Sequence, residues 1–254
     1  MDLLDILIFN KLKNKKGGGT TPTGTIEITD DGTYNVTNYA TADVSVLPYE
    51  ILDHIDASGG QFVETELIPN NVAKIVMSFK LLQESGMAYL FGARFTNSTD
   101  QLVTMLTATM NYAYANKTLE LGIVNQWHAT SKRLEINTDY EVEITLTSGT
   151  QEVKVDGETV YAASVTIDYT DYINRNIPYY ILAMNVKNAL NNSSVTASTT
   201  PIRFYGCQMY DSSNNLIGDF KPAKIKASNT IGIWDTVSCM FLKNKGTGSF
   251  TTSE

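Results

Sequence analysis

Metal and nucleophile chemistry has little to work with in this chain of 254 residues, which carries two histidines and two cysteines. His54 and His128 stand in unrelated local contexts, so neither a metal pair nor a Ser-His-Asp arrangement finds support. Cys207 and Cys239 are too few for a disulfide framework and fall in apolar, strand-like runs. They read as buried thiols, and a single bridge stays open until their distance is known. Charge is scarce at 18% and unbalanced, with a net −8 and a pI near 4.8. An acidic surface repels phosphate backbones, so no nucleic acid is expected as a partner. No stretch approaches the roughly 20 apolar residues that cross a bilayer, so no membrane span is expected.

What the chain does have is Thr, Asn, Tyr and Val, which suit a pleated surface. The exception is the beginning. Residues 1–16 place Leu3, Leu4, Leu7, Ile8 and Leu12 at helical spacing, with Asp2 and Asp5 early and Lys11 to Lys16 late, matching a helix dipole. Acidic residues first and lysines last is the reverse of a signal peptide, so this segment is expected to be retained. A helix this short is marginal alone, so its apolar stripe is expected to dock on something. Residues 17–24 (GGGTTPTG) read as a flexible tether. Residues 25–47 read as a small β module. Ile26 and Ile28 form one strand, Asp31-Gly32 a turn, Tyr34 and Val36 a second strand, and Val44 and Val46 a third.

Strand signals then follow one another through residues 49–254, with no long helical pattern. Lys74 to Leu81, Tyr140 to Leu146 and Ile202 to Tyr210 carry strand patterns, and Asp156-Gly157 joins two runs as a hairpin. Asn188 to Thr200 is polar throughout and reads as a long loop. Many short strands with Gly and Asn turns predict an all-β sandwich or barrel.

Several stretches of this region resemble, in order, concanavalin-like (laminin-G-like) jelly-roll modules of phage virion proteins and bacterial surface proteins. They include Gly59-Gly60-Gln61-Phe62-Val63-Glu64-Thr65, Phe91-Gly92-Ala93-Arg94, Met209-Tyr210-Asp211, Leu216 to Ala223, Gly232-Ile233-Trp234-Asp235 and Asn244 to Phe250. The likeness covers roughly four-fifths of the chain. It implies a concanavalin-like jelly-roll sandwich, preceded by the small β module and the N-terminal helix. The helix and tether resemble phage head- or tail-fibre attachment regions.

The expected function is that of a phage virion structural protein, a head or tail fibre or decoration protein. It would be anchored to capsid or tail proteins by its N-terminus and would display a sandwich toward host-surface glycan. A homo-oligomer is expected, with a trimer ahead of a dimer, since sister chains can cover the helix stripe and the short β module. The alternatives are a glycan-active enzyme and a cell-surface adhesin. No catalytic residue, cofactor or metal site can be assigned. Glu141 and Glu143 share a strand face, but alternation with Val142 and Ile144 turns that face to solvent. Asp30-Asp31-Gly32 lacks the further ligands of a calcium loop. Trp127 and His128 in a polar-aromatic stretch are candidate glycan contacts. Trp234 has two readings, a core filler or an aromatic platform for a sugar.

Overall fold

The computed structural model describes residues 25–28, 34–37, 49–84, 86–96, 101–109, 118–124, 126–188, 190–238 and 240–253. The expected anchoring helix, the tether, the Asp31-Gly32 turn, the strand at Val44 and Val46, and Cys239 lie outside these residues. Of the small β module, strands β1 (Thr25–Ile28) and β2 (Tyr34–Thr37) pair antiparallel, with Ile26 opposite Val36.

The rest is a jelly-roll sandwich of two sheets. One sheet has ten strands. Its main path runs β13 (Glu158–Ala163), β12 (Thr150–Val155), β11 (Asp139–Thr147), β6 (Lys74–Leu81), β17 (Ile202–Tyr210), β18 (Leu216–Ile225), β19 (Ile231–Asp235) and β20 (Met240–Leu242). Short strands β3 (Tyr49–Ile51) and β4 (Ile55–Ala57) pair with β18 and β17. The other sheet has eight strands. Its path runs β10 (Gln126–Arg133), β9 (Thr118–Val124), β8 (Gln101–Thr109), β7 (Met87–Thr96), β14 (Tyr180–Ile181) and β5 (Val63–Glu64), with β15 (Ala183–Asn188) and β16 (Ser193–Ala197) attached.

Strict alternation builds the core. In β6 the burial pattern alternates residue by residue, so Ile75, Met77, Phe79 and Leu81 face inward while Lys74, Val76, Ser78 and Lys80 face outward. Phe204 and Phe220 of the same sheet, Phe91 of the other and Tyr179 just before β14 belong to one continuous cluster. Each fully buried side chain of this size contributes about 1.5–3 kcal/mol relative to exposure. The expected hairpin closes with Asp156 at φ 51° and Gly157 at φ 81°, the left-handed pair of a two-residue turn.

The polar stretch read as a long loop is in part a strand. Ser193–Ala197 is β16, paired antiparallel to β15 from Ala183↔Ala197 to Lys187↔Ser193. An available edge on β15 outweighs the weak local signal, as is common for strands. Among the described residues a 3-10 turn at Pro69–Asn71 and a short helix, α1 (Thr170–Arg175), interrupt the strands.

The chain is clasped at one end of the sandwich. Tyr49 pairs with Ile225 at the end of β18, and Thr251 bridges Asp56 beside the start of β17. The turn around Gly246 holds this clasp. Asn244 Oδ1 accepts hydrogen bonds from Phe62 N (3.1 Å) and Gly246 N (2.9 Å). A Cβ at Gly246 would lie 1.8 Å from Gly60 O, so only glycine fits there. Phe250 then returns to the core.

Candidate functional site

The outer face of the ten-stranded sheet is polar and almost fully paired. Along its middle strands Lys80 meets Asp139 at 3.0 Å, Lys154 meets Glu143 at 3.2 Å, and Lys221 meets Asp219 at 3.1 Å. Arg203 takes Asp56 with two parallel bonds of 2.7 and 2.8 Å, the strong fork geometry of guanidinium and carboxylate. Lys224 meets Glu50 at 2.8 Å, and Lys74 donates to Asn214 at 2.8 Å while lying over the Tyr210 ring.

One charged side chain on β6, β11, β17 and β18 has no partner among the described residues, and that is Glu141. It stands opposite Ser78, whose hydroxyl is likewise uncommitted, and Ser78 stands opposite Gly206. The pairing of β17 with β6 shifts between Phe204 and Gly206. This bulge puts Tyr205 and Gly206 side by side at half-buried positions, while Phe204 and Cys207 remain in the core. The smallest side chains of the face therefore sit in its middle, and a hollow of about 250 Å³ forms above them. Its polar walls are Ser78, Glu141, Tyr205, Gln208, Asp219 and Lys221, the last two paired with each other, and its apolar side is Leu52, Pro222 and the exposed Ile51. Strands are spaced by about 4.8 Å, so the Glu141 and Lys221 backbones stand about 14 Å apart across four strands.

Electrostatics fix the frame of the hollow. Tyr205 donates to Asp139 at 2.5 Å, and this bond, followed by Lys80, holds the Asp139 carboxyl below its usual range. Tyr205 is itself pushed up, first by burial and then by its bond to Asp139. Asp219 accepts from Thr236 Oγ1 (2.7 Å) and from Gln208 Nε2 (3.3 Å). Neighbouring Asp235 accepts from Asp219 N (2.9 Å) and from the turn at Val237 and Ser238. Beneath the hollow, burial pushes the Cys207 thiol up, so it is inert as a nucleophile.

The residues expected from sequence do not converge. Trp127 and His128 are adjacent in β10 and so point to opposite faces. Trp127 is 43% exposed, and His128 packs at 5.3 Å from Tyr161 where the sheet edges meet. Trp234 lies in the other sheet, 3% exposed, with its ring 4.2 Å from Tyr49. His54 has Nε2 3.1 Å from Ser253 Oγ and its ring 6.2 Å from that of Tyr205. Glu141 and Glu143 do face solvent, Glu143 through its pair with Lys154. The expected anchoring residues Leu3, Leu4, Leu7, Ile8 and Leu12 lie outside the described residues. Sequence reasoning missed Ser78, Tyr205, Gly206 and Lys221. The one signal was a glycine inside a strand run, which marks a bulge or a close approach. Among the described residues no group of three His, Cys, Asp or Glu side chains could hold a metal ion.

No protein-family model and no curated protein matches the chain. Solved structures give distant likenesses. A Bacteroides ovatus protein provisionally described as carbohydrate-binding aligns over 79% of this chain at 14% identity, with a TM-score of 0.49. This chain spans only 60% of that protein's length. The heptameric SAP-like pentraxin of Limulus polyphemus aligns over 80% of this chain and 95% of its own, at 11% identity and a TM-score of 0.45. The CBM40 of Ruminococcus gnavus IT-sialidase, bound to α2,3-sialyllactose, aligns over 61% of this chain and 90% of its own, at 11% identity and a TM-score of 0.37. At these values no residue role carries over from them.

Proposed function

We propose that this chain is a non-enzymatic glycan-binding display protein whose sugar site is the hollow over Gly206. The observation that carries the reading is the pairing pattern. On a face whose charges are largely paired, the Glu141 carboxylate and the Ser78 hydroxyl have no partner among the described residues and stand beside the hollow. A sugar ring offers what they lack, because its hydroxyls can donate to Glu141 and exchange hydrogen bonds with Ser78. A hydrogen bond to a charged group contributes about 1.5–3 kcal/mol. The apolar side at Leu52 and Pro222, with the Tyr205 ring, suits the C–H face of a pyranose. The hollow holds about one ring, and the charged ends give neighbouring rings something to reach. Binding is favoured over hydrolysis because the carboxylates flanking Glu141 are committed elsewhere, Glu143 to Lys154 and Asp139 to Lys80 and Tyr205.

The wider role is that of a phage virion protein, anchored on capsid or tail by residues 1–16 and presenting the sandwich on the tether. Its support is the order of sequence segments, an apolar stripe followed by a glycine-rich run, together with the motif resemblance. Antibody against the sandwich should decorate purified particles, and particles left unlabelled sink the virion role. The binding role is tested on a glycan array. The full chain should retain a defined set of oligosaccharides, and Gly206→Leu and Tyr205→Ala should each lose it while melting normally. Retention unchanged in both variants removes the hollow as the site.

A further inference from the structure

A second cavity, of about 540 Å³, lies at the other end of the sandwich. Its position follows from β18. Ile217 near the start of that strand lines the cavity, whereas Ile225 at its end pairs with Tyr49. At about 3.4 Å per residue the two ends are about 27 Å apart. The clasp made by Tyr49 and Thr251 is thus at one end, and the cavity is at the tip facing away from it.

The cavity is assembled from the turn at Asn70 and Asn71, the β11–β12 turn, the segment before α1 and the β17–β18 turn. Its floor is apolar: Leu67, Val72, Leu146 and Ile217, with Tyr169 alongside. Tyr169 is fixed by a 3.0 Å bond from its hydroxyl to Leu146 O. The rim is polar, with one charged group. Asn70 Nδ2 donates to Asn71 Oδ1 at 2.7 Å, which leaves Asn70 Oδ1 and Asn71 Nδ2 uncommitted among the described residues. The hydroxyls of Ser148 and Ser212 are uncommitted there as well. The single charged lining group is Asp211, and its carboxylate is already used. Oδ1 accepts from Ser213 N (2.9 Å) and Asn215 N (2.8 Å), and Oδ2 from Asn215 Nδ2 (2.9 Å). No Lys, Arg or His lines the cavity among the described residues.

We infer that this tip cavity is a second binding site, for an uncharged pyranose such as a neutral hexose or N-acetylhexosamine. The volume is that of a small-ligand pocket, typically about 300–1,000 Å³, and apolar floor with a few convergent polar ends is the usual recipe. The floor accepts the C–H face of the ring, while Asn70 Oδ1 accepts from its hydroxyls, Asn71 Nδ2 donates to them, and the Ser148 and Ser212 hydroxyls can do either. An anionic sugar finds no cation here and meets Asp211. The hollow over Gly206 differs in carrying a cation at all, Lys221, which is paired with Asp219.

The test is amide chemical-shift mapping on the 15N-labelled full chain with methyl hexosides, N-acetylglucosamine and N-acetylneuraminic acid. Neutral sugars should move the amides of Asn71, Ser148 and Ser212 with millimolar affinity, and N-acetylneuraminic acid should not. Asn71→Ala and Ser148→Ala should each weaken the effect by about fivefold, the scale of one lost hydrogen bond. The inference is overturned if neutral sugars at about 50 mM, well above a millimolar Kd, leave all three amides still. It is equally overturned if N-acetylneuraminic acid moves them as strongly. Shifts at Ser78 and Gly206 without tip shifts defeat the tip site and leave the hollow standing. Tip shifts alone do the reverse.

Discussion

The hollow over Gly206 and the tip cavity are built in opposite ways. The hollow over Gly206 is framed by strand register, with each wall residue held by a ladder and nearly every neighbour ion-paired. The tip cavity is framed by turns, and its polar ends are held by local bonds such as Asn70 to Asn71. The sheet-framed site is the smaller and carries charges of both signs. The turn-framed site is the larger and has only Asp211 as a charged lining group among the described residues, and it depends on what lies under each turn. The difference teaches that one fold can separate specificity by charge from capacity by volume, placing one at mid-face and the other at the tip.

The largest effect should come from the core the two share. Phe220 is 1% exposed beneath the ten-stranded sheet, and Phe220→Ala should cost about 3–5 kcal/mol. Both cavities should fail together in a denaturant melt. Loss of one with the other intact would show that they are supported separately. Next comes the clasp. Gly246→Ala forces a Cβ onto Gly60 O and should cost about 1–3 kcal/mol. Hydrogen exchange should quicken around Phe62 and Phe250 and stay unchanged at the tip, about 27 Å away along β18. Faster exchange at Ser212 would mean the ends are coupled.

A smaller effect should isolate the tip. Tyr169→Phe removes the bond to Leu146 O and should cost about 1 kcal/mol. Burial pushes the Tyr169 phenol up to about 12, so the folded state holds its proton more tightly than the unfolded chain does. The resulting stabilisation is complete below the ordinary phenol range near pH 10 and is lost as pH rises toward about 12. Alkaline melts of Tyr169→Phe should therefore show a shallower loss than the parent across that window. The smallest effect lies on the acid side. The bond from Tyr205 depresses Asp139, and the side chain of Asn215 depresses Asp211. Depressed carboxyls stabilise above the ordinary carboxylate range and lose that contribution as pH falls through their folded values. Both groups are exposed, so the shift in melting temperature between pH 5 and pH 3 should be slight, about the scale of a surface ion pair. Tyr205→Phe should reduce the Asp139 share, leaving the part due to Lys80, and should not touch the Asp211 share.

Much of the frame was legible in the sequence. Alternation in Lys74 to Leu81 and Tyr140 to Leu146 fixed which residues face inward, and Asp156-Gly157 fixed a hairpin. The hollow was not legible, because Tyr205-Gly206-Cys207 reads as an unbroken strand. The bulge that turns both Tyr205 and Gly206 outward exists only through pairing with Ser78 and Phe79. Lys221 and Glu141 become neighbours of one depression through the register of β11, β6, β17 and β18, which no local pattern encodes. The tryptophans drew attention for their size, yet only Trp127 is substantially exposed. β16 was hidden for a related reason, since its partner edge on β15 is supplied by the fold.

The central claim is that the hollow over Gly206 binds a glycan. Its most direct test is titration calorimetry of the full chain with an oligosaccharide selected on the array, beside the Gly206→Leu variant. A Cβ at Gly206 meets nothing nearer than Phe220 O at 3.5 Å, and leucine suits a strand better than glycine, so the fold should tolerate the change. The account predicts that heat of binding disappears in Gly206→Leu while its melting temperature holds or rises. Undiminished heat in a folded Gly206→Leu would contradict it.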